Sequence, residues 1–294
     1  MQTVTTAPRR PDTGDVSSRD DPAATPSAIA VVTRLALTSA AGRDVRDLAA
    51  AVAAGRSLAA SHGPQVQGPW DTGVPVPGFD KKAELGRKGV RTLDRAAALA
   101  VATVGRVAVT GDDVGLVVGT GMGSVQSTMD FTRDALTGER PYLVDPARFP
   151  NTVMNFAAGQ CAIWHGLRGP NATVTAGRAT GLAALRYGAR WLRLAHASRV
   201  IVAATEEMSP QRGWLEWVSG ADRDVPLGEG CATLMLRSPG DVAVGGAAAV
   251  GDAADDAADD AADGGADGGA ERVLAEVLGV STALAVRPER AGAV

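Results

Sequence analysis

The chain has 294 residues, a formal net charge of −4, 45% hydrophobic residues and only 4% aromatic residues. This length suits one large domain or two small ones, with a core built mainly from alanine, valine and leucine. No basic block and no apolar run of transmembrane length are present, so we expect neither nucleic acid nor a membrane as a partner.

The first part of the chain contains one strand and one helix. Residues 1–27 carry charge and proline without an apolar core, which indicates a disordered tail and not a signal peptide. The apolar run at 28–37 predicts a buried strand. Residues 43–55 predict a helix closed by Gly55, and the Gly- and Pro-rich residues 56–90 predict a loop.

Helices and strands alternate through the middle of the chain. Residues 91–105 predict a helix, and residues 114–120 predict a fully buried strand. Further helices are predicted at 121–136, after a glycine-led turn, and at 150–166, with Pro150 ahead of its start. The helix predicted at 91–105 has one apolar face, formed by Leu93, Ala97, Ala100 and Val104.

The pattern continues with a short strand at 171–175, a helix, and buried strands at 198–205 and 231–237. The helix carries an apolar stripe of Leu182, Leu185, Ala189 and Leu192. Short apolar strands that alternate with helices favour an α/β fold, with a mainly parallel sheet covered on both faces.

Near residue 240 the periodic pattern ends in an acidic, low-complexity repeat of Asp, Ala and Gly. Such a segment cannot bury enough apolar surface to offset an ordering entropy of roughly 1–2 kcal/mol per residue. We therefore expect four parts: a disordered tail (1–27), a main domain (28–240), a solvated acidic loop (241–271), and a terminal strand and tail (272–294).

Three features invite a cofactor, an acid–base or a metal interpretation, in that order, that the sequence does not support. Glycines alternate in "GTGMGS", which lacks the spacing of a dinucleotide-binding turn and has no following lysine. Glu206 and Glu207 are neighbours on an extended segment, so their side chains should point to opposite faces. The acidic repeat is typical of a solvated loop. The sequence predicts no cofactor and no metal.

Several blocks in one order resemble the N-terminal half of the β-ketoacyl synthases of the thiolase superfamily. They are "GFDKKAELGRKGVRTLDRAAALAV", "VVGTGMGS", "FPNTVMNFAAGQCAIWHGLRGPNATVTAG", "VIVAATEE" and "PLGEGCATLMLR". The resemblance spans roughly Ala28 to Leu236. It implies a thiolase-like α/β fold, with layered helices around a five-stranded mixed sheet.

Two departures from the family pattern bear on activity. The family's nucleophilic cysteine would lie at the turn in "TVTAGRATG", where this chain has Arg178. A guanidinium stays protonated and cannot form a thioester. The family's catalytic histidines lie in the C-terminal half, and the histidines of this chain match neither: His62, His165 and His196.

The cysteines lie in apolar segments, which argues against a disulfide framework and favours a cytoplasmic location. Cys161, in the middle of a predicted helix, is more typical of a packed thiol than of a nucleophile. Two alternatives stay open: a stand-alone acyltransferase or thioesterase with a Cys or Thr nucleophile, and a purely structural pseudoenzyme. For Arg178 we expect that it fills the vacated pocket or forms a salt bridge there.

A ketosynthase relative that lacks the nucleophilic cysteine resembles the chain length factor of type II polyketide synthases. For this chain the resemblance implies a shortened chain length factor. Such a subunit is not an enzyme by itself. The resemblance implies a heterodimer with an active ketosynthase, and through it contact with an acyl carrier protein. It assigns tunnel-lining roles to Ser124, Val125, Ser127, Thr128, Met129 and Phe131. It assigns interface roles to Phe149, Thr152, Met154, Phe156, Thr173 and Thr175.

Overall fold

The computed structural model describes residues 28–59, 69, 73–220, 225–242 and 274–277. The predicted N-terminal tail, His62 and almost all of the predicted acidic loop lie outside the described residues. Within them, eight strands form: β1 (Ala30–Thr38), β2 (Gly73–Val74), β3 (Val114–Gly119), β4 (Asn171–Val174), β5 (Arg199–Glu206), β6 (Leu227–Gly228), β7 (Gly230–Arg237) and β8 (Ala275–Val277).

The main sheet is mixed, with strand order β4-β3-β5-β7-β1-β8. Strand β3 pairs in parallel with β4 and β5, whereas β7 pairs antiparallel with both β5 and β1. Five strands form the body of the sheet, as the resemblance implies, and β8 adds a short sixth strand at the edge beside β1. The expectation of a mainly parallel sheet was wrong, because a buried strand has the same apolar pattern in either pairing.

Seven α-helices are present among the described residues. They are α1 (Val45–Ala53), α2 (Lys81–Leu85), α3 (Arg95–Val104), α4 (Val125–Thr137), α5 (Phe156–His165), α6 (Thr180–Arg193) and α7 (Pro210–Val218). Side-chain oxygens of Asp44, Asp94, Ser124 and Ser209 cap the starts of α1, α3, α4 and α7. None of the described helices is long and apolar enough to cross a membrane.

Three sequence-based details were wrong. Helix α2 lies inside the predicted loop at 56–90, because five residues are too few for a visible period. Helix α5 begins at Phe156, since a 3₁₀ helix over Pro146–Thr152 comes before it. Leu182, placed on the apolar stripe, is 53% exposed.

The core lies in two layers, one on each face of the sheet. Alternate residues of β5 divide between them: Ile201 packs with α3 and α5 on one face, and Val200 and Val202 pack with α6 on the other. Helix α3 is buried on nearly every side, and its small alanines allow it to lie between the sheet and α5. The layered arrangement brings the start of α6 to the carboxyl ends of β3, β4 and β5.

Candidate functional site

The turn between β4 and α6 is held by its own backbone and one hydroxyl. Gly177 has a φ of +55°, a left-handed conformation that favours glycine. The Oγ1 of Thr180 donates to the Gly177 carbonyl at 2.6 Å and accepts from the Ala176 amide at 2.9 Å. The turn is thus fixed without any contribution from the side chain of Arg178.

Arg178 projects from this turn and lines a cavity of about 580 Å³. Its side chain is exposed, and it forms no ion pair with any described residue. We expected Arg178 either to fill the vacated pocket or to form a salt bridge there. Among the described residues it forms no such salt bridge. The cavity carries a permanent positive charge at its rim.

The cavity wall comes from the carboxyl ends of β1, β3 and β5, the start of β7, and the turns beside them. Its lining includes Thr38, Gly119, Gly121, Thr205, Glu206, Arg212 and Cys231. Carboxyl ends of neighbouring parallel strands open onto a common edge, which is where α/β folds commonly bind ligands. The sequence pattern predicted β7 as a buried strand but not its antiparallel pairing, by which it closes the cavity.

Glu206 is the acidic group of the cavity. Its Oε1 accepts a hydrogen bond from the Gly121 amide. Its Oε2 is buried without a hydrogen-bond partner and lies 3.9 Å from the Arg212 guanidinium. Burial raises the pKa of Glu206. The hydrogen bond from the Gly121 amide and the charge of Arg212 lower this pKa and so offset part of the increase. Glu206 therefore links the glycine turn after β3 to the start of α7.

Glu207 points to the opposite side of the strand end, as the sequence predicted. It is 1% exposed and accepts hydrogen bonds from the Gln126 amide at 2.9 Å and the Ser209 hydroxyl at 3.1 Å. Burial, together with the nearby charge of Asp94, raises the pKa of Glu207. This carboxyl group joins the starts of α4 and α7, so the two glutamates do not form an acid–base pair.

Sequence reasoning missed the ion pair between Glu229 and Arg95, which lies close to Glu207. Glu229 accepts from the Nε of Arg95 at 3.0 Å and from the Val76 amide at 2.8 Å. The Arg95 guanidinium also lies over the ring of Phe79, 4.8 Å from its centroid. No single-sequence signal marks this group, because its members are up to 153 residues apart.

The thiols are poor candidates for chemistry. Cys161 and Cys231 are both free and buried, and burial is the largest cause that raises the pKa of each. A thiol in such surroundings does not supply the thiolate that nucleophilic attack requires. The Nε2 of His165 forms a hydrogen bond with the Val101 carbonyl oxygen at 2.8 Å. Burial lowers the pKa of His165.

The predicted tunnel residues divide by their positions on α4. Ser124 and Val125 are buried at its start, Ser127 and Phe131 are half-buried, and Thr128 and Met129 are exposed. Phe131 meets Phe149 edge to face, with ring centroids 5.9 Å apart. The resemblance assigned these two rings separate roles, because no sequence pattern shows that the 3₁₀ helix packs against α4.

The predicted interface residues are not all accessible. Phe149 is 56% exposed and Met154 is 40% exposed, whereas Phe156 is 9% exposed and packs in the core of its own chain. We therefore remove Phe156 from the candidates. Thr152 is half-buried. Thr173 lies on β4 and Thr175 follows it, at an edge of the sheet where no described strand pairs with the outer side.

A metal site is not apparent within the described ranges, where no group of three or more His, Cys, Asp or Glu residues is arranged to hold an ion.

Comparisons with known proteins agree with this architecture. Residues 80–221 match the model of the β-ketoacyl synthase N-terminal domain. The chain is 28% identical over 144 residues to 3-oxoacyl-(acyl-carrier-protein) synthase 2 of Vibrio harveyi, which covers 42% of this chain and 34% of that enzyme. It is 33% identical over 92 residues to the enzyme of the same name from Rhizobium meliloti, covering 31% and 22%. The matches thus span about a third of these relatives or less.

Among solved structures, the chain is similar to the ishigamide ketosynthase/chain length factor. The TM-score is 0.66 and the identity 35%, over 72% of this chain and 62% of that chain. It is also similar to a chain of a second structure, which is described as a type II PKS acyl-carrier protein in complex with its ketosynthase bound to the hexaketide. There the TM-score is 0.59 and the identity 19%, over 72% of this chain and 63% of that chain. At this identity the second likeness concerns the fold alone.

Proposed function

Because residues 80–221 form a β-ketoacyl synthase N-terminal domain with a thiolase-like fold, we propose that this chain is a non-catalytic chain length factor. It forms a heterodimer with an active ketosynthase and shapes the tunnel into which the acyl chain grows. The substrates belong to the partner: acyl chains on an acyl carrier protein, extended with malonyl units by decarboxylative condensation.

The observation that carries the proposal is Arg178 at the turn that opens α6. A ketosynthase nucleophile at this turn must lose a proton and form a thioester, and a guanidinium does neither. The 35% identity to a structure named as a ketosynthase/chain length factor agrees with such a role.

The remaining groups near the cavity favour the same conclusion. Both thiols are buried with raised pKa values. The hydroxyl of Thr175 donates to the Gly121 carbonyl at 3.1 Å, and that of Thr180 is bound on both sides by backbone groups. A nucleophile needs a base within hydrogen-bond reach, and within the described ranges no histidine bonds to either hydroxyl. These contacts weigh against the acyltransferase or thioesterase alternative.

Length control would be steric. A packed tunnel wall does not absorb extra methylene groups without strain, so the size of its side chains limits the acyl chain. Ser124 and Ser127 are small residues near the start of α4, and Phe131 is a bulky one further along. The half-buried position of Phe131, against Phe149, leaves part of its ring available to line a shared surface.

Reconstitution tests the proposal. This chain, a cysteine-containing ketosynthase from the same source, an acyl carrier protein and malonyl carrier thioester are combined, and each protein is omitted in turn. We expect product only when both subunits are present, and product length that depends on this chain. Condensation or acyl transfer by this chain alone would contradict the proposal. Unchanged product length across α4 variants would instead favour the purely structural pseudoenzyme.

A further inference from the structure

The starts of α3 and α4 meet the end of β5 around one hydroxyl group. Asp94 caps α3, where its carboxylate accepts from the Ala97 amide at 2.7 Å. Ser124 caps α4, where its Oγ accepts from the Ser127 amide at 3.4 Å. Glu207 directly follows β5. Ser124 is 8% exposed and Glu207 is 1% exposed, so the described domain itself encloses this contact.

Ser124 lies between the two carboxyl groups. Its Oγ is 3.5 Å from the Oε2 of Glu207, and its side chain also forms a hydrogen bond with Asp94. A serine hydroxyl carries one proton, and an ionised carboxylate can only accept. Ser124 can therefore donate to Asp94 or to Glu207, but not to both at once.

The Oε2 of Glu207 depends on this hydroxyl. The Gln126 amide and the Ser209 hydroxyl both donate to Oε1, and among the described residues only Ser124 bonds to Oε2. A buried ionised oxygen without a donor is costly. If Ser124 donates to Asp94, the Oε2 of Glu207 is satisfied only by holding a proton of its own and donating it to the Oγ of Ser124.

Asp94 is the better placed of the two to carry the charge. Burial raises the pKa of Asp94, whereas the amides of Ala97 and Ala96, the Ser124 hydroxyl and the charge of Lys81 lower it. The start of a helix also favours a negative charge. Asp94 is half-buried, so its carboxylate keeps some contact with solvent.

Glu207 is the better placed to keep the proton. Burial is the largest cause that raises the pKa of Glu207, and the charge of Asp94 raises it further. The Gln126 amide, the Ser209 hydroxyl and the charge of Arg212 on α7 lower it. Glu207 is almost completely buried, so its charged form gains little from solvent.

Most other charges near the pair are already engaged. Both carboxyl groups line a cavity of about 410 Å³, whose other charged side chains are Asp80, Lys81, Arg95, Asp130 and Arg148. Three of these form ion pairs with other residues: Arg95 with Glu229, Asp130 with Arg133, and Arg148 with Asp134. The cations that act on the pair are therefore Lys81, beside Asp94, and Arg212, beside Glu207.

We propose that Asp94 and Glu207 share a single proton through Ser124. The Oε2–H of Glu207 donates to the Oγ of Ser124, and Ser124 donates its own proton to the carboxylate of Asp94. When Glu207 releases its proton to solvent, two carboxylates compete for one hydroxyl, and their repulsion loosens the starts of α3 and α4. The contact is thus a pH-sensitive connection between three elements. It is independent of the proposed function, because it lies within this chain.

Nuclear magnetic resonance of the full chain, labelled at its glutamate carboxyl carbons, tests the coupling. Loss of one resonance in Glu207→Gln identifies Glu207, whose titration midpoint should lie above the ordinary value of 4.5. In Asp94→Asn the proton affinity of Glu207 should fall about tenfold or more, since coupled carboxyl groups interact by more than about one pK unit.

Asp80→Asn is the matched control. Asp80 also caps a helix, by accepting from the Lys82 amide at 2.8 Å, and it lines the same cavity. Asparagine caps helices as well as aspartate does, so both variants should keep their fold, which thermal unfolding checks. The control should leave the midpoint of Glu207 unchanged. A midpoint that Asp94→Asn also leaves unchanged would overturn the proposal.

Ser124→Ala tests the direction of the hydrogen bonds. In the shared-proton arrangement the protonated state loses two hydrogen bonds and the ionised state loses one, so the midpoint of Glu207 should fall. If Ser124 only donated to an ionised Glu207, its removal would raise the midpoint, and that result would overturn the proposal. Ser124→Thr keeps the hydroxyl and should titrate as the unmodified chain does.

Hydrogen exchange of the Ser127 amide tests the loosening. Its protection, corrected for the intrinsic exchange rate at each pH, should be lost as Glu207 ionises in the unmodified chain. Glu207→Gln cannot ionise at this position and should keep its protection across the same range. Constant protection of Ser127 in the unmodified chain would overturn the pH-sensitive connection.

Discussion

At the scale of single residues, the turn before α6 holds a permanent charge where a nucleophile would have to lose its proton. The turn does not depend on that charge, because Thr180 and Gly177 fix its backbone. Arg178 can thus change the chemistry of the cavity while the architecture around it stays the same.

Phe131 is the residue through which chain length should be controlled. In the reconstituted pair, Phe131→Ala should give longer products, because the tunnel deepens when the ring is removed. Since Phe131 is only half-buried, the loss in unfolding free energy should be below the roughly 3–5 kcal/mol of a buried phenylalanine. Mass spectrometry of the products gives the length distribution.

Leu136→Ala is the control on the same helix, because Leu136 is 78% exposed and should leave product length unchanged. Ser127→Phe should shorten the product. An intact complex that makes the same lengths with all three variants would remove Phe131 and Ser127 from the tunnel.

Glu207 should make stability depend on pH. Its folded pKa is raised above the ordinary value of 4.5, so above pH 4.5 the folded state keeps a proton that the unfolded state loses. Its favourable contribution is complete below pH 4.5 and is lost as pH rises through the raised folded pKa. Glu207→Gln should flatten this decline, as measured by urea unfolding from pH 4.5 to neutral pH.

The amide of Glu207→Gln can still accept from Gln126 and Ser209, which keeps the packing intact. Exposed Glu139→Gln is the control and should follow the unmodified chain. If Glu207→Gln shows the same pH dependence as the unmodified chain, burial of this carboxyl group is not what sets it.

The site was only partly predictable from the sequence. The position of Arg178 at a strand-to-helix turn, and the divergence of Glu206 from Glu207, follow from local pattern. The contact between Phe131 and Phe149, and the pairing of Arg95 with Glu229, join residues far apart in the chain. Local periodicity carries no information about such pairs.

At the scale of elements, the close approach of α6 to β5 organises one face of the sheet. A Cβ at Gly188 would lie 2.6 Å from the Cγ2 of Val202, so only glycine fits here. Gly188→Ala should push α6 away from the sheet and lower the unfolding free energy by roughly 1–3 kcal/mol. Urea unfolding measures the change.

Gly159→Ala in α5 is the matched control, because a Cβ there meets nothing within 4 Å. It should be neutral or should stabilise the chain by up to about 1 kcal/mol through helix propensity. Equal effects of the two substitutions would show that α6 does not need its close contact with β5.

Elements with long, strong patterns were predictable, and those set by tertiary contacts were not. Strands β1, β3, β5 and β7 are continuous apolar runs, and each lies where the sequence placed it. The 3₁₀ helix over Pro146–Thr152 and the exposure of Leu182 depend on what packs nearby. Parallel and antiparallel pairing of buried strands also leave no separate signature.

At the scale of the whole molecule, β4 leaves one edge of the sheet without a described partner strand. The amide of Leu116 and that of Thr120 bond to the carbonyls of Pro170 and Val174, so alternation turns the amide of Thr173 outward. An open strand edge is suited to strand pairing with a partner. If the proposed heterodimer forms through this edge, we expect an obligate interface, which buries more than roughly 2,000 Å².

Thr173→Pro tests this edge, since proline removes the outward amide and is tolerated on edge strands. It should weaken binding of the ketosynthase by about tenfold or more, whereas Thr173→Val, which keeps the amide, should bind normally. Isothermal titration gives both affinities. Normal binding by Thr173→Pro would place the interface elsewhere.

The central claim is that this chain supports condensation without carrying the acyl intermediate. Intact-mass spectrometry of the reconstituted heterodimer, stopped during turnover with acyl carrier thioester, weighs each subunit separately. We predict that the acyl mass appears on the cysteine-containing ketosynthase alone and that this chain keeps its unmodified mass. An acyl adduct on this chain in proportion to product formed would contradict the claim.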